Sequence, residues 1–177
     1  VLMQSAGTIS LNGIGRLIRR IIPFSFVFEL LGAALLAIRF VPQFGWVRGC
    51  WFSLFHAVSA FCNAGFDLMG VRAPFSSLTA YRNDPLVSLT VCALIVVGGL
   101  GFLVWRDIAV NGLRFSKYQL HTKLVLTTTG ILLLGGWILF FFFERDASMA
   151  GMTVPQRLLA SFFQSVTTRT AGFNTVD

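Results

Sequence analysis

Two stretches of this 177-residue sequence place a glycine where main chain, rather than side chains, could do the chemistry. Ala64-Gly65-Phe66-Asp67 and Ala171-Gly172-Phe173-Asn174 share a core, and each follows a short apolar stretch, Cys50 to Phe61 and Val154 to Thr167. Phe55–Asp67 aligns on Phe162–Asn174 without a gap at an offset of 107. Twelve or so residues make a helix of roughly 18 Å, about half a bilayer. A half-length helix that ends in a glycine-bearing extended stretch leaves carbonyls unpaired. In a membrane that is tolerated only where the backbone lines a wet cavity or is buried in protein. Such carbonyls can replace water around a cation, and the negative end of the helix favours one nearby. The plainer alternative is that each glycine simply caps an amphipathic helix.

Other reactive groups fit less well into a site. His56 and Ser59 lie one turn apart, yet no third group or oxyanion motif accompanies them, so the chain is read as a non-enzyme. Cys50, Cys62 and Cys92 have neither metal-ligand nor redox spacing and read as free thiols, mostly packing residues. Glu29 is an ionisable group inside an apolar run, either functional or bonded to a neighbouring helix. Asp67 and Asn174 follow the two glycine motifs. Asp67 could enrich cations at an outer mouth or serve as a turn residue. Arg169 sits inside the second motif, where it would repel a cation unless it points behind the motif into a hydrogen-bond network. Gly98, Gly99 and Gly101 indicate close helix packing more readily than a gate.

The elements that must hold these residues are membrane helices. The sequence is 55% apolar and 12% charged, about half the charge of a soluble domain. Long apolar runs cover 21–40, 86–105 and 124–143, each about 30 Å as a helix. Asp84-Pro85 and Thr153-Val154-Pro155-Gln156 are helix-entry signals. The net charge of +7 is read as the positive-inside pattern rather than as a nucleic-acid footprint. Arg16, Arg19 and Arg20, and Arg106, Arg114, Lys117 and Lys123, put 1–20 and 106–123 in the cytoplasm. Both short helices then lie on the outer side. The expected fold is all-α, with each short stretch a re-entrant helix or a buried core helix.

The stretch His56 to Leu68 closely resembles the second filter region of the Trk/Ktr/HKT superfamily of potassium transporters, and Ser165 to Thr175 resembles the third. The Arg169-Thr170-Ala171-Gly172-Phe173-Asn174 form looks most like the bacterial Ktr membrane subunit. Gly98-Gly99-Leu100-Gly101-Phe102 fits the inner helix of the second repeat. Thr168 stands where many relatives have proline. The resemblance implies four repeats, each an outer helix, re-entrant pore helix, filter and inner helix, around one potassium-selective pore in the bacterial plasma membrane, of which this chain, a piece of a longer one, holds the second and part of the third. The second would occupy 21–105, with pore helix 50–61 and filter 62–66, and the partial third 124–177, with pore helix 154–167 and filter 168–173. The filters would be Cys62, Asn63, Ala64, Gly65 and Phe66, and Thr168, Arg169, Thr170, Ala171, Gly172 and Phe173. Potassium would meet the carbonyls of Cys62, Asn63, Ala64, Arg169, Thr170 and Ala171. A homodimer of the full-length subunit on a cytoplasmic nucleotide-binding ring is implied. No residue here reads as binding ATP or NAD, and no cofactor is expected beyond the transported ion. Sodium coupling stays open. The competing reading is a broken-helix secondary transporter for another monovalent cation such as Na+, which expects inverted repeats.

Overall fold

A computed structural model of the chain describes residues 11–71, 74, 76–112, 114–145 and 147–176. Half of the expected cytoplasmic segment 1–20, namely 1–10, lies outside the described residues. The described residues form six α-helices and contain no β-strand.

Helix α1, Leu11–Phe44, is 34 residues long and encloses the expected span 21–40. It starts ahead of the apolar run because hydropathy marks the bilayer, whereas local propensity decides where a helix stops. Gly45, at φ 81°, then reverses the chain, and α2, Trp46–Phe61, runs back along α1. Gly49 makes the approach close: a β-carbon there would stand 2.5 Å from the Val41 Cα. Ring pairs Phe44–Phe52 (4.9 Å), Phe40–His56 (5.5 Å) and Phe28–Phe61 (6.4 Å) continue the contact. The segment 50–61 is therefore part of a hairpin and not of a full crossing. It is longer than expected, 16 residues beginning at Trp46, because nothing before Cys50 breaks the helix.

The loop 62–84 contains two 3₁₀ turns, Met69–Val71 and Thr79–Tyr81. Buried Leu78 and Tyr81 anchor it, and the Tyr81 hydroxyl donates to Gln43 Oε1 at 2.6 Å. Helix α3, Pro85–Leu100, opens as its sequence signal indicates. Asp84 accepts from the Leu86 and Val87 amides at 3.0 and 3.4 Å, with proline in the first turn. Its other oxygen pairs with Arg39 Nε of α1 at 2.8 Å.

The expected straight span 86–105 is corrected. The chain bends by 90° at Gly101, φ 82°, into α4, Phe102–Asn111. Such a break leaves the last carbonyls of α3 without helical partners. The Trp105 indole, beyond the bend, donates to one of them, Val97 O, at 2.8 Å. The segment 106–123 is thus part helix and not a plain linker. Asp107 of α4 accepts from Asn111 Nδ2 at 2.6 Å and from the Gln119 amide at 2.8 Å, which fixes the turn into α5, Leu120–Phe143.

Helix α6, Val154–Thr170, folds back on α5. Gln156 accepts from the Thr153 amide at 3.0 Å, one half of the capping box. The Trp137 indole donates to Leu158 O at 3.0 Å, and Ser165 Oγ to Leu133 O at 2.7 Å. The core lies where α1, α2, α3 and α6 meet, around Leu36, Phe40, Val87, Val91, Ile95, Phe163 and Phe173.

Residues 21–44 of α1 and the whole of α5 are each long and apolar enough to cross a membrane. The α3–α4 pair makes a third crossing only as a bent one. Helix α5 leaves Ile131, Leu132, Leu134, Ile138 and Leu139 more than half exposed. A helix this apolar on its open faces has lipid as its solvent.

Candidate functional site

The two glycine motifs follow the C-termini of α2 and α6 and lie side by side. Thr170 Oγ1 donates to Asn63 Oδ1 at 2.6 Å. A β-carbon on Gly65 would overlap the Ala171 carbonyl oxygen. Both glycines have positive φ, 73° at Gly65 and 91° at Gly172, so an L-side chain is strained at either. Their surroundings differ. Nothing lies within 4 Å of a β-carbon built on Gly172.

The boundary of the second motif is corrected. Helix α6 continues through Thr168, Arg169 and Thr170, three residues past the expected end at 167. Thr168 Oγ1 bonds Gln164 O at 2.8 Å, and Ala171 N bonds Thr167 O at 3.0 Å, so the final turn is closed. A basic residue in the last turn also suits the helix dipole. The last carbonyls of a helix have no partner within it, so the extension does not consume the acceptors. Among the described residues, the carbonyls of Cys62, Asn63, Ala64, Arg169, Thr170 and Ala171 accept no hydrogen bond from protein.

The phenylalanine carbonyl of each motif is held by the short helix before it. Ser59 Oγ donates to Phe66 O, and Thr167 Oγ1 to Phe173 O, both at 2.7 Å. The Ala64 amide returns to Ser59 O and the Gly172 amide to Thr167 O. Counted from these bonds, the first copy has one residue more between its helix and its phenylalanine. Asn63, with φ 54°, accompanies that extra residue. The gapless alignment is right at the phenylalanines and one residue out along the helices.

His56 is fully buried. Its Nδ1 pairs with Phe52 O at 2.7 Å, and its Nε2 accepts from the Leu68 amide at 3.3 Å. In the second copy Gln164 instead holds a side chain, donating to Asn174 Oδ1 at 3.0 Å. His56 and Ser59 therefore each bind the main chain of 66–68 and not one another. The role of Ser59 and Thr167 was legible as a hydroxyl six or seven residues before the motif phenylalanine, a signal the one-residue slip hid.

Asp67 and Asn174 are both turn residues in this structure. Asp67 Oδ1 accepts from the Met69 amide at 2.9 Å, and Asn174 Oδ1 from the Val176 amide at 3.2 Å. Arg169 is half-buried between two helices. Its Nη1 donates to Thr129 Oγ1 of α5 at 2.9 Å, and its Nη2 lies 2.5 Å from where a Gly99 β-carbon would be. The partner that the guanidinium finds behind the motif is a hydroxyl, because α5 presents Thr129 where it reaches. Gly98 admits Phe61 O, with which its β-carbon would overlap, and Asn63 Nδ2 lies 3.3 Å from that point. Gly98 and Gly99 are packing residues against which the starts of both motifs rest, and Gly101 is the bend.

Glu29 makes no hydrogen bond or ion pair among the described residues. The thiols do not all pack: Cys92 is buried, whereas Cys50 and Cys62 are exposed. Phe66 and Phe173 hold the same place in the two copies, yet Phe66 is 70% exposed and Phe173 1%. Phe173 lies against the His56 ring of the preceding repeat, centroids 6.5 Å apart. The flank of Phe66, with Trp51, Phe55, Val58 and Cys62, is an open apolar groove of about 310 Å³.

Residues 3–177 match the family described as "TrkH: Cation transport protein". The chain belongs to this family. It is 44% identical over 178 aligned residues to the potassium/sodium uptake protein NtpJ of Enterococcus hirae, covering 100% of this chain and 38% of that protein. To the Ktr system potassium uptake protein B it is 43% identical in Vibrio alginolyticus, covering 92% of this chain and 35% of that protein. In Bacillus subtilis the figures are 41%, 95% and 37%. This TrkH-family chain therefore spans little more than a third of the length of these relatives. It is a membrane protein of a family of ion transporters.

Proposed function

We propose that the full-length protein takes up potassium across the bacterial plasma membrane as a pore-forming subunit, and that the two motifs are two of its four filter segments. The observation that carries this reading is the set of six unpaired carbonyls, Cys62 to Ala64 and Arg169 to Ala171, on two adjoining repeats. Carbonyls withheld from protein partners suit a dehydrated monovalent cation better than an anion or an organic substrate. Two segments enclose an ion on two sides only. The exposed Phe66 flank fits a site completed by a further repeat. The relatives named for potassium uptake favour the same ion. A homodimer on a cytoplasmic nucleotide-binding ring belongs to the same proposal.

Two observations favour a second reading, a broken-helix carrier for another monovalent cation such as Na+. The chain bends by 90° at Gly101, and a relative is named for both potassium and sodium. Against it, two crossings, α3–α4 and α5, separate the two motifs, so the copies run in the same orientation and not as inverted repeats.

The test is uptake by the full-length protein in a potassium-requiring strain, with sodium as competitor and matched membrane expression. Gly65→Ser and Gly172→Ser should weaken potassium preference before they reduce insertion. Unchanged affinity and unchanged discrimination in both variants would remove the filter reading. A sodium flux that needs no potassium would move it to the carrier.

A further inference from the structure

We infer that Ser77, in the outer loop of the first repeat, is a positioning residue for the filter segment of the second. This inference rests on the filter reading above. Ser77 has φ 43°, and with Asn63 it is one of two non-glycine residues in the left-handed region among those described. Serine does not hold that conformation unless its surroundings compensate. The compensation reaches across the repeat boundary. Asn174, immediately after Phe173, donates its amide to Ser77 Oγ at 3.1 Å, and its carbonyl accepts from the Leu78 amide at 2.9 Å. Both main-chain groups of Asn174 are thus bound to the loop of the preceding repeat.

The loop is itself fixed. Leu78 is 1% exposed and the Tyr81 ring 3%. Thr79 Oγ1 bonds Ser76 O at 2.7 Å, and the Tyr81 hydroxyl ties the turn to Gln43 of α1. On the other side, Thr167 Oγ1 holds the Phe173 carbonyl and Gln164 holds the Asn174 side chain. The chain that leaves the second filter is therefore gripped from its own pore helix and from its neighbour. Its own grip fixes the distance of the segment from α6. The Ser77–Leu78 grip fixes its position relative to the first repeat, and so the spacing between adjacent sets of carbonyls. Selectivity depends on the arrangement of those carbonyls.

Three variants of the full-length protein test this. Ser77→Gly keeps the backbone conformation and removes the hydroxyl. Ser77→Asn keeps an oxygen acceptor on a residue that tolerates positive φ. Gly172→Ser disturbs the filter directly. Potassium uptake with sodium competition is measured per inserted copy, alongside thermal stability. Ser77→Gly should lower potassium-over-sodium discrimination roughly three- to tenfold, the effect of one hydrogen bond, with maximal uptake retained. Ser77→Asn should restore most of it. A Ser77→Gly variant with lower stability and unchanged discrimination overturns the inference, because the contact would then be structural only. A loss that Ser77→Asn fails to restore overturns it too. If Gly172→Ser lowers discrimination while Ser77→Gly does not, the filter stands and the clamp falls. If neither does, the filter reading itself has failed.

Discussion

Asn63 and Thr170, which the gapless alignment of the two motifs pairs, are hydrogen-bonded to each other side chain to side chain at 2.6 Å across 107 residues. The repeat is thus a physical junction as well as a sequence pattern. Each residue supplies what the other lacks: a hydroxyl proton from Thr170, an amide oxygen from Asn63 whose nitrogen lies 3.2 Å from Phe61 O. The two should therefore be energetically coupled. In a double-mutant cycle on the full-length protein, Thr170→Val and Asn63→Ala should show an interaction of about 0.5–1.5 kcal/mol. Additive losses of thermal stability would count against the junction.

The two motif glycines should respond unequally. Gly65 needs both its positive φ and its empty β-position, which the Ala171 carbonyl oxygen occupies. Gly172 needs only its φ, at a cost for alanine of about 1–2 kcal/mol. Gly65→Ala should accordingly lower the amount of folded full-length protein more than Gly172→Ala, as read by size-exclusion chromatography in detergent. Equal recoveries would contradict the close approach of Gly65 to Ala171.

At the start of α3 the cap and the ion pair share one carboxylate. Asp84→Ala removes both, and losing the cap alone costs about 0.5–2 kcal/mol. Asp84→Asn keeps the cap and removes the ion pair to Arg39, whose side chain is 47% exposed. Exposed pairs contribute about 0–1 kcal/mol, less when screened by salt. Thermal unfolding should rank wild type at or slightly above Asp84→Asn, and both well above Asp84→Ala. High salt should close the gap between the first two only.

Much of this fold was written in local signals. Apolar runs located α1, α3 and α5, and Asp84-Pro85 and Thr153-to-Gln156 located two helix starts. What the runs could not reveal is where a helix stops inside or beyond the bilayer. Residues 11–20 continue α1 without being apolar, and Gly101 bends an apolar run that reads as continuous through Trp105. The end of α6 was misjudged for a related reason. Whether Thr168 to Thr170 are helical depends on closure of the last turn onto Gln164 and Thr167, which no pattern of hydropathy encodes. The glycines of the candidate site were legible because positive φ selects glycine. Ser77, Leu78 and Thr129 were not, because they act through contacts across 97, 96 and 40 residues.

The position of Arg169 allows a sharper test of the filter reading than its glycines do. A guanidinium on the ion path would stand near 4 Å from the cation, where two like charges repel by about 4 kcal/mol at an effective dielectric of 20. Removing it would then raise potassium affinity by roughly a thousandfold, since each 1.4 kcal/mol is tenfold. The guanidinium lies on Thr129 of α5 and against Gly99 of α3, which the filter reading takes to be off the ion path. If it stands about 10 Å from the ion, the same repulsion falls below about 2 kcal/mol, or at most some twentyfold. Arg169→Gln should therefore change potassium affinity by less than about twentyfold. Its main effect should be on stability, because a hydrogen bond from a charged group contributes about 1.5–3 kcal/mol. Thr129→Val should reproduce the stability loss while leaving the charge in place. A gain in affinity of several hundredfold in Arg169→Gln, with Thr129→Val unchanged in stability, would put the arginine on the permeation path. The second filter segment would then have to lie on other residues than Thr168 to Phe173.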